Sequence, residues 1–386
     1  ERLRAVYENY LSISAGRWYF RDNYDILARR VLGNNPKVNW MPWAEVIKDK
    51  PPAWIIPISN SRLIISGDRR GFLIDCGGRG IIDQVIKLRD AGKLTGLDGL
   101  FITHYHDDHT DNVAACLAEF DCPVYATGPV VDILERPGDY RLPCLTPNPI
   151  ANIKVMPEAH KMQWKEFTFT FYDYPGQTIY HDSLLVEKDN AEKIFFIGDS
   201  FTPSGIDDYC LQNRNLLHES MGYFYCIDLL RKIPAGTLLI NQHVVEPFSF
   251  NAGQLDLMTT TLNKRKTLLA ELLPWDEPNY GIDERWVRFS PYGSKTGPGR
   301  NVRVSLKTIN HSNTSRTLTA ALNLPAGFDS TPPAASIAIP PREEKQVDFN
   351  LAIDSSVESG TYVITADVQH EQWNLSRWTE AIIEVE

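Results

Sequence analysis

Nothing in the 386 residues approaches the roughly 18 uninterrupted apolar positions of a transmembrane helix, which excludes a helical membrane protein. Blocks of basic residues are missing as well. Lys+Arg number 39 against 49 Asp+Glu, a net charge of −10, so the electrostatic footprint of a nucleic-acid binder is absent. Cysteine is sparse: Cys76, Cys116, Cys122, Cys144, Cys210 and Cys226 show no CxxC spacing and are too few for a disulfide scaffold in a chain of this size. Ser200, Ser204 and Ser220 lack a Gly-x-Ser-x-Gly setting, which leaves a serine triad unsupported. Gly77-Gly78-Arg79-Gly80 follows a strand without the dinucleotide fingerprint and reads as a tight turn. The chain opens at Glu1 with neither Met nor a charged-then-apolar leader, as expected of a mature or trimmed form. With 43% hydrophobic and 23% charged residues the composition is that of a globular protein, and the length calls for two or three domains.

What is present changes character twice along the chain. Leu3, Val6, Tyr7, Tyr10 and Leu11 follow helical spacing, and Ile26, Leu27 and Val31 suggest a second helix. Both read as packing elements. Asn34, Asn35, Pro36, Pro42, Pro51 and Pro52 then break the periodicity, so residues 1–51 form a helical lead-in laid on the next domain. From Trp54 the text turns to short apolar runs interleaved with helical stretches: 54–58, 63–65, 72–74, 100–103, 124–126, 167–172, 194–197 and 238–240. This predicts an α/β domain over residues 52–275. Trp18, Trp40, Trp43, Trp54 and Trp164 are assigned to core packing. Past Pro278 there is no Cys or Met, and Val302-Val304-Leu306, Val347-Phe349-Leu351-Ile353 and Tyr362-Ile364-Ala366-Val368 alternate strictly. These predict a separately folded all-β sandwich of immunoglobulin-like type over residues 283–386, with no part in the site.

The chemistry concentrates in the middle. Seven of the nine histidines lie between His104 and His243, three of them in His104-Tyr-His106-Asp107-Asp108-His109 directly after an apolar run. At a strand end, residues i and i+2 face the same way, so His104 and His106 can grip one metal while Asp108 and His109 in the following turn aim at a second. Two later runs also end in candidate ligands, Ile194 to Ile197 in Gly198-Asp199 and Leu238 to Ile240 in Asn241-Gln242-His243. Strand ends that converge on one edge build a site.

Across residues 54–270 this pattern resembles the metallo-β-lactamase-fold superfamily of hydrolases. The first motif corresponds to His104, His106, Asp108 and His109, the bridging aspartate to Asp199 and the last histidine to His243. The resemblance implies a four-layer αββα sandwich holding one or two zinc ions, with iron or manganese as alternatives. It also implies a metal-bound hydroxide as nucleophile, aligned by Asp108. One position departs from the family: the expected Pro-Gly-His-Thr reads Pro175-Gly176-Gln177-Thr178, so a neutral amide stands where a third histidine would complete the first metal site. His181 is assigned to orienting the ligands, with ligation as its alternative role. His160 is a lesser candidate ligand, and His218 is taken as structural. Tyr105, Tyr180 and His181 are placed where a general acid could act.

The expected reaction is hydrolysis of an ester, lactone or amide of a small molecule. Loops 103–112, 175–183 and 198–209 contain no Lys or Arg, which disfavours the alternative of a phosphodiesterase or sulfatase. A non-catalytic binding protein on a degraded hydrolase fold is the second alternative, and it draws only on Gln177. The C-terminal segment loosely resembles the modules appended to bacterial secreted and cell-surface enzymes. It implies a spacer or a contact with a cell surface or carbohydrate, and an extracytoplasmic location.

Overall fold

A computed structural model describes residues 1–33, 37–46, 50–207 and 216–386. Asn34, Asn35, Pro36, Cys210 and the last two positions of the 198–209 loop fall outside the described residues, as does the side chain of Leu27. Among the described residues no helix is long and apolar enough to cross a membrane. The chain divides into two compact units, residues 1–135 with 143–274, and residues 136–142 with 275–386.

The first unit is built on two sheets. One runs in the order Ile55–Ile58, Ser61–Ile65, Arg70–Ile74, Gly96–Phe101, Val124–Thr127, Lys154–Met156, and from Arg70–Ile74 onward its neighbours are parallel. The other runs Glu45–Val46, Phe248–Ser249, Leu238–Ile240, Ile194–Phe196, Asp182–Lys188, Phe167–Asp173, His160–Trp164. Within it, Ile194–Phe196 and Leu238–Ile240 are parallel. The apolar faces of both sheets meet in one core, with Ile64, Phe72, Ile74 and Phe101 from the first packed among Phe167, Phe169, Phe171, Leu184, Phe196 and Ile240 from the second. Burying both sheets this way requires helices on the outer faces, which Arg79–Asp90, Val113–Phe120, Gly128–Glu135, Gly222–Lys232 and Ala252–Ala270 supply. This is the expected αββα sandwich. Trp54 and Trp164 belong to its core, as assigned from sequence.

The topology brings the strand ends together. Gly96–Phe101 leads into His104, Ile194–Phe196 into Asp199 and Leu238–Ile240 into His243. At this edge the sheets are tied by the amide of Asp182 donating to the carbonyl of Thr103 at 2.6 Å and by a backbone bridge between His104 and His181.

The lead-in folds as two helices, Arg2–Ser12 and Gly16–Leu32, the second broken at Arg21, whose φ is 34°. It also contributes the short strand Glu45–Val46, so it is not helical throughout. The first helix packs on Ala252–Ala270 through a buried pair, with Arg265 Nε donating to Asn9 Oδ1 at 3.0 Å and Asn9 Nδ2 donating to the Thr261 carbonyl at 2.9 Å. The bend between the helices is zipped to the hairpin after Asp199: Ile206 N donates to Ile13 O and Ala15 N to Ile206 O, both at 2.7 Å. Gly205, at φ 140°, is required there, since a Cβ would lie 1.8 Å from the Ile13 carbonyl oxygen.

The second unit is built on two β-sheets, with a short helix at Asn279–Ile282 and a 3-10 turn at Pro137–Asp139. Val287–Ser290, Asn301–Ile309, Glu344–Ile353 and Phe328–Thr331 form one sheet, and Gly293–Thr296, Trp373–Val385, Gly360–His370, Arg316–Asn323 and Ala334–Ile339 the other. The alternating residues read from sequence supply their common core, including Val304, Leu306, Phe349, Leu351, Ile364, Ala366 and Val368.

Candidate metal centre

His104, His106 and His109 are buried at the edge where the strands end, joined there by Asp199 and the more open His243. His109 Nε2 lies 3.4 Å from Asp199 Oδ2 and 3.5 Å from Asp108 Oδ2, while His243 Nε2 lies 3.1 Å and 3.2 Å from the same two oxygens. Asp108, His109, Asp199 and His243 therefore point their donor atoms at one small volume. On its other side, His104 Nε2 is 3.8 Å from Asp199 Oδ2 and 2.9 Å from His106 Nδ1. Asp199 thus stands between the two groups of donors.

Electrostatics follow from this packing. Burial, and then the neighbouring imidazoles, push His104 well below the ordinary histidine range, and burial drives His106 down to about 4. Burial would lower His109 and His243 too, but Asp199 overrides it, with Asp75 assisting at His109; His109 is held well above its ordinary value and His243 rises to about 10. Burial opposes the charge on Asp108 and Asp199, yet the same two imidazoles hold both carboxyls below the usual range. Without a metal, the carboxylates keep protons on His109 and His243, and a divalent cation would displace them.

The donor set fits such an ion. Asp199 Oδ1, His109 Nε2 and Gln177 Oε1 are buried and make no hydrogen bond. Buried polar atoms without partners are rare in folded proteins unless an ion or water completes them. Among the described residues, two groupings have donor atoms within 4.8 Å of one another, His104 with His109 and Asp199, and Asp108 with His109 and His243, and both include His109.

Gln177 reaches the same cluster with its amide nitrogen 3.5 Å from Asp199 Oδ2 and 3.4 Å from Asp207 Oδ2. As oriented, it is a donor to two carboxylates. His181 turns elsewhere: its Nε2 accepts from the Asp199 amide at 3.3 Å, and its ring stacks on His104 with centroids 4.8 Å apart. Such contacts orient Asp199 and His104. His160 starts the edge strand, exposed, and His218 lies outside both groupings. Tyr105 and Tyr180 pack against each other, both buried, and neither lines the cavity that opens on the donors.

Several residues of the site carry no mark in the sequence reading. Asp75 is fully buried, and its Oδ2 accepts from His109 Nδ1 at 2.9 Å, Gln242 Nε2 at 2.9 Å and Thr103 Oγ1 at 2.7 Å. Holding Nδ1 turns Nε2 of His109 toward Asp108 and Asp199. The signal was available, since Asp75 also ends an apolar run, Phe72 to Ile74. Arg62, buried with a guanidinium pushed down to about 10 by desolvation, donates to the carbonyls of Ser59, Ser61, Asn241, Gln242 and Val244. It clamps the turn that presents His243. Gly77, read from sequence only as part of a tight turn, lets the loop close on the site, because a Cβ there would meet the Asp108 carbonyl at 1.8 Å. Tyr19 enters from the lead-in. Its ring is 40% exposed, but its hydroxyl bonds Asn241 and faces Asp199 and Asp207, and desolvation followed by those carboxylates holds it protonated well above the usual tyrosine range.

Residues 56–209 match the family model of the metallo-beta-lactamase superfamily. This stretch is a domain of that superfamily. The chain is similar to hydroxyacylglutathione hydrolases of Wigglesworthia glossinidia brevipalpis, 23% identical over 181 residues, and of Bdellovibrio bacteriovorus, 28% identical over 202 residues. These alignments take in 47% and 49% of this chain and 59% and 66% of the relatives, so the chain spans less than two thirds of either. Among solved structures, a Cronobacter sakazakii metallo-beta-lactamase aligns with a TM-score of 0.41 at 14% identity, over 62% of this chain and 99% of that one.

Proposed function

We propose that the chain is a metal-dependent hydrolase acting on an ester, lactone or amide bond, with Asp108, His109, Asp199 and His243 as the principal metal ligands. His104 and His106, sharing Asp199, form a weaker second position, with Gln177 standing where a third histidine would complete it. The observation that carries this reading is the convergence of four donors from three strand ends around buried atoms that make no hydrogen bond. A divalent ion held there, zinc first with iron or manganese as alternatives, would acidify a water toward neutral pH and polarise the substrate carbonyl.

The protein's own groups do the rest. Asp75 fixes the tautomer and direction of His109 by accepting from its Nδ1. Asp108, whose side chain is 47% exposed beside His243, holds an attacking water in line. Tyr19 retains its hydroxyl proton and offers it to the oxygen on which charge develops. Acyl chemistry is favoured over phosphodiester cleavage because the residues lining the cavity include Asp107, Asp108, Asp199 and Asp207 and, among the described residues, no Lys or Arg. The hydroxyacylglutathione hydrolase relatives, named for a thioester hydrolysis, support the same class of bond.

A panel of chromogenic esters, lactones, β-lactams and bis-aryl phosphodiesters, run with and without chelator, tests the assignment. Chelator-sensitive turnover of acyl substrates is expected. Turnover confined to phosphodiesters refutes the acyl reading, and no turnover by metal-loaded protein favours a binding protein, the reading that Gln177 supports.

A further inference from the structure

The apolar stripe of the first helix is only partly covered: Val6 is buried, and the rest of the stripe is not. Leu3 is 59% exposed and Tyr7 47% exposed, and both face a cavity of about 890 Å³ whose floor holds His106, Asp108, Asp199 and His243. The wall opposite the donors comes from the lead-in, with Leu11, Tyr19 and Phe20 completing it. This wall lies outside the matched superfamily region, residues 56–209. It is fixed rather than loosely apposed, being zipped at Ile13 and Ala15 to the hairpin that follows Asp199 and anchored through Asn9 to Arg265. On the far side of the Asp108 and His243 pair lies a smaller cleft of about 480 Å³, lined by Ser59, Asn60, Gly77, Gly78 and Gln242.

Resting on the hydrolase reading above, we propose that the lead-in builds a specificity subsite, so that the substrate carries a large uncharged apolar group beside the scissile bond and a small neutral polar group on its other side. The occupant follows from the lining. An apolar helix face left open to solvent loses the burial that such a face ordinarily gains, about 25 cal/mol per Å², and a substrate's hydrocarbon or aromatic portion restores it. Asp107 and Asp207 in the lining, which hold no metal in this reading, disfavour an anionic tail, and no Lys or Arg among the described lining residues offsets them. A tripeptide thioester bearing free carboxylates therefore fits poorly, unlike an acyl chain or aromatic ring.

Two measurements test this. Binding of butanamide and octanamide to the metal-loaded full-length protein, by calorimetry, reads the subsite without requiring turnover. Each buried methylene is worth about 0.8 kcal/mol, roughly fourfold, so octanamide, with four more, is expected to bind up to about 250-fold tighter, and at least about tenfold if only half of them are buried. Leu3→Ser and Tyr7→Ser, both at exposed positions that folding tolerates, should each reduce that ratio several-fold. Turnover of p-nitrophenyl octanoate against the acetate, and of a glutathione thioester, gives the second readout. A higher kcat/KM for octanoate that falls toward the acetate value in the same variants supports the subsite. Equal binding of the two amides, a ratio unchanged by both substitutions, or preferred turnover of the glutathione thioester overturns it. Chain-length-dependent binding with no ester or thioester hydrolysed upholds the subsite and sinks the hydrolase reading, so the two failures remain distinct.

Discussion

Replacing Asp75 by Asn removes one charge from the centre of the site without changing its shape. The carboxylate receives four hydrogen bonds: Thr103 N at 2.7 Å on Oδ1, and Thr103 Oγ1, His109 Nδ1 and Gln242 Nε2 at 2.7 to 2.9 Å on Oδ2. An asparagine can satisfy only one of these faces with its oxygen. Its NH2 then confronts a donor, either the Thr103 amide or the His109 ring, in a fully buried setting. If the oxygen stays toward Thr103 N, His109 loses its acceptor and its Nε2 is no longer held toward Asp108 and Asp199. Loss of such an orienting partner lowers metal affinity about 10- to 100-fold, or roughly 1.4–2.7 kcal/mol. The unmatched donor costs the fold about 1–3 kcal/mol. Competition with a chromophoric chelator measures the affinity, and thermal unfolding of the metal-free protein measures the fold separately. Asp75→Asn should also have little further effect on affinity once His109 is already Ala. Wild-type metal affinity in Asp75→Asn, or an equal loss with and without His109, would show that Asp75 only braces the fold.

Other expectations follow from the same geometry. Gln177→His should raise metal stoichiometry toward two per chain in elemental analysis; two equally bound ions in the unaltered protein would contradict the weak second position. Arg62→Met should lower unfolding free energy by about 3 kcal/mol or more in denaturant titration, because several buried carbonyls lose their donor at about 1–3 kcal/mol each and relax only in part; a neutral result would mean that the turn before His243 holds itself. Asp173, pushed up to about 7 by burial and then by Glu158, prefers its protonated form when folded, so its contribution is fully present below its unfolded pKa of about 3.9 and is lost as pH rises to about 7. The Tm difference between Asp173→Asn and wild type should therefore grow in favour of the variant from pH 5 to pH 8, and a constant difference would remove Asp173 from the pH dependence.

The parts legible in the sequence were those where local pattern and tertiary role coincide. The runs 63–65, 72–74, 124–126, 167–172, 194–197 and 238–240 became strands because β-branched and aromatic residues at those spacings suit a sheet buried on both faces. His104, His106, Asp108, His109, Asp199 and His243 were visible as polar residues ending apolar runs, and the fold brings them to one edge. Asp182–Lys188 and His160–Trp164 escaped, the second because an edge strand alternates weakly and carries His160, Lys161 and Gln163. Arg62 was hidden for a different reason. A charged side chain within a strand reads as a solvated face, and here three of its five carbonyl partners lie about 180 positions away in sequence. Periodicity identified the first helix and its apolar stripe, but it cannot tell a face covered by protein from one that lines a cavity, and Leu3 and Tyr7 belong to the second kind. Tyr19 was missed with them, while Tyr105 and Tyr180, nearer in sequence to the ligands, point into packing.

On the reading proposed above, Asp108, His109, Asp199 and His243 hold a metal. Elemental analysis of freshly purified protein, beside His109→Ala and His243→Ala prepared identically, addresses it most directly. At least one transition-metal ion per chain, reduced to background in both variants while they remain folded, is the result expected. Wild-type-like metal content in both variants, or a metal-free protein that takes up no zinc, iron or manganese on incubation, would contradict it.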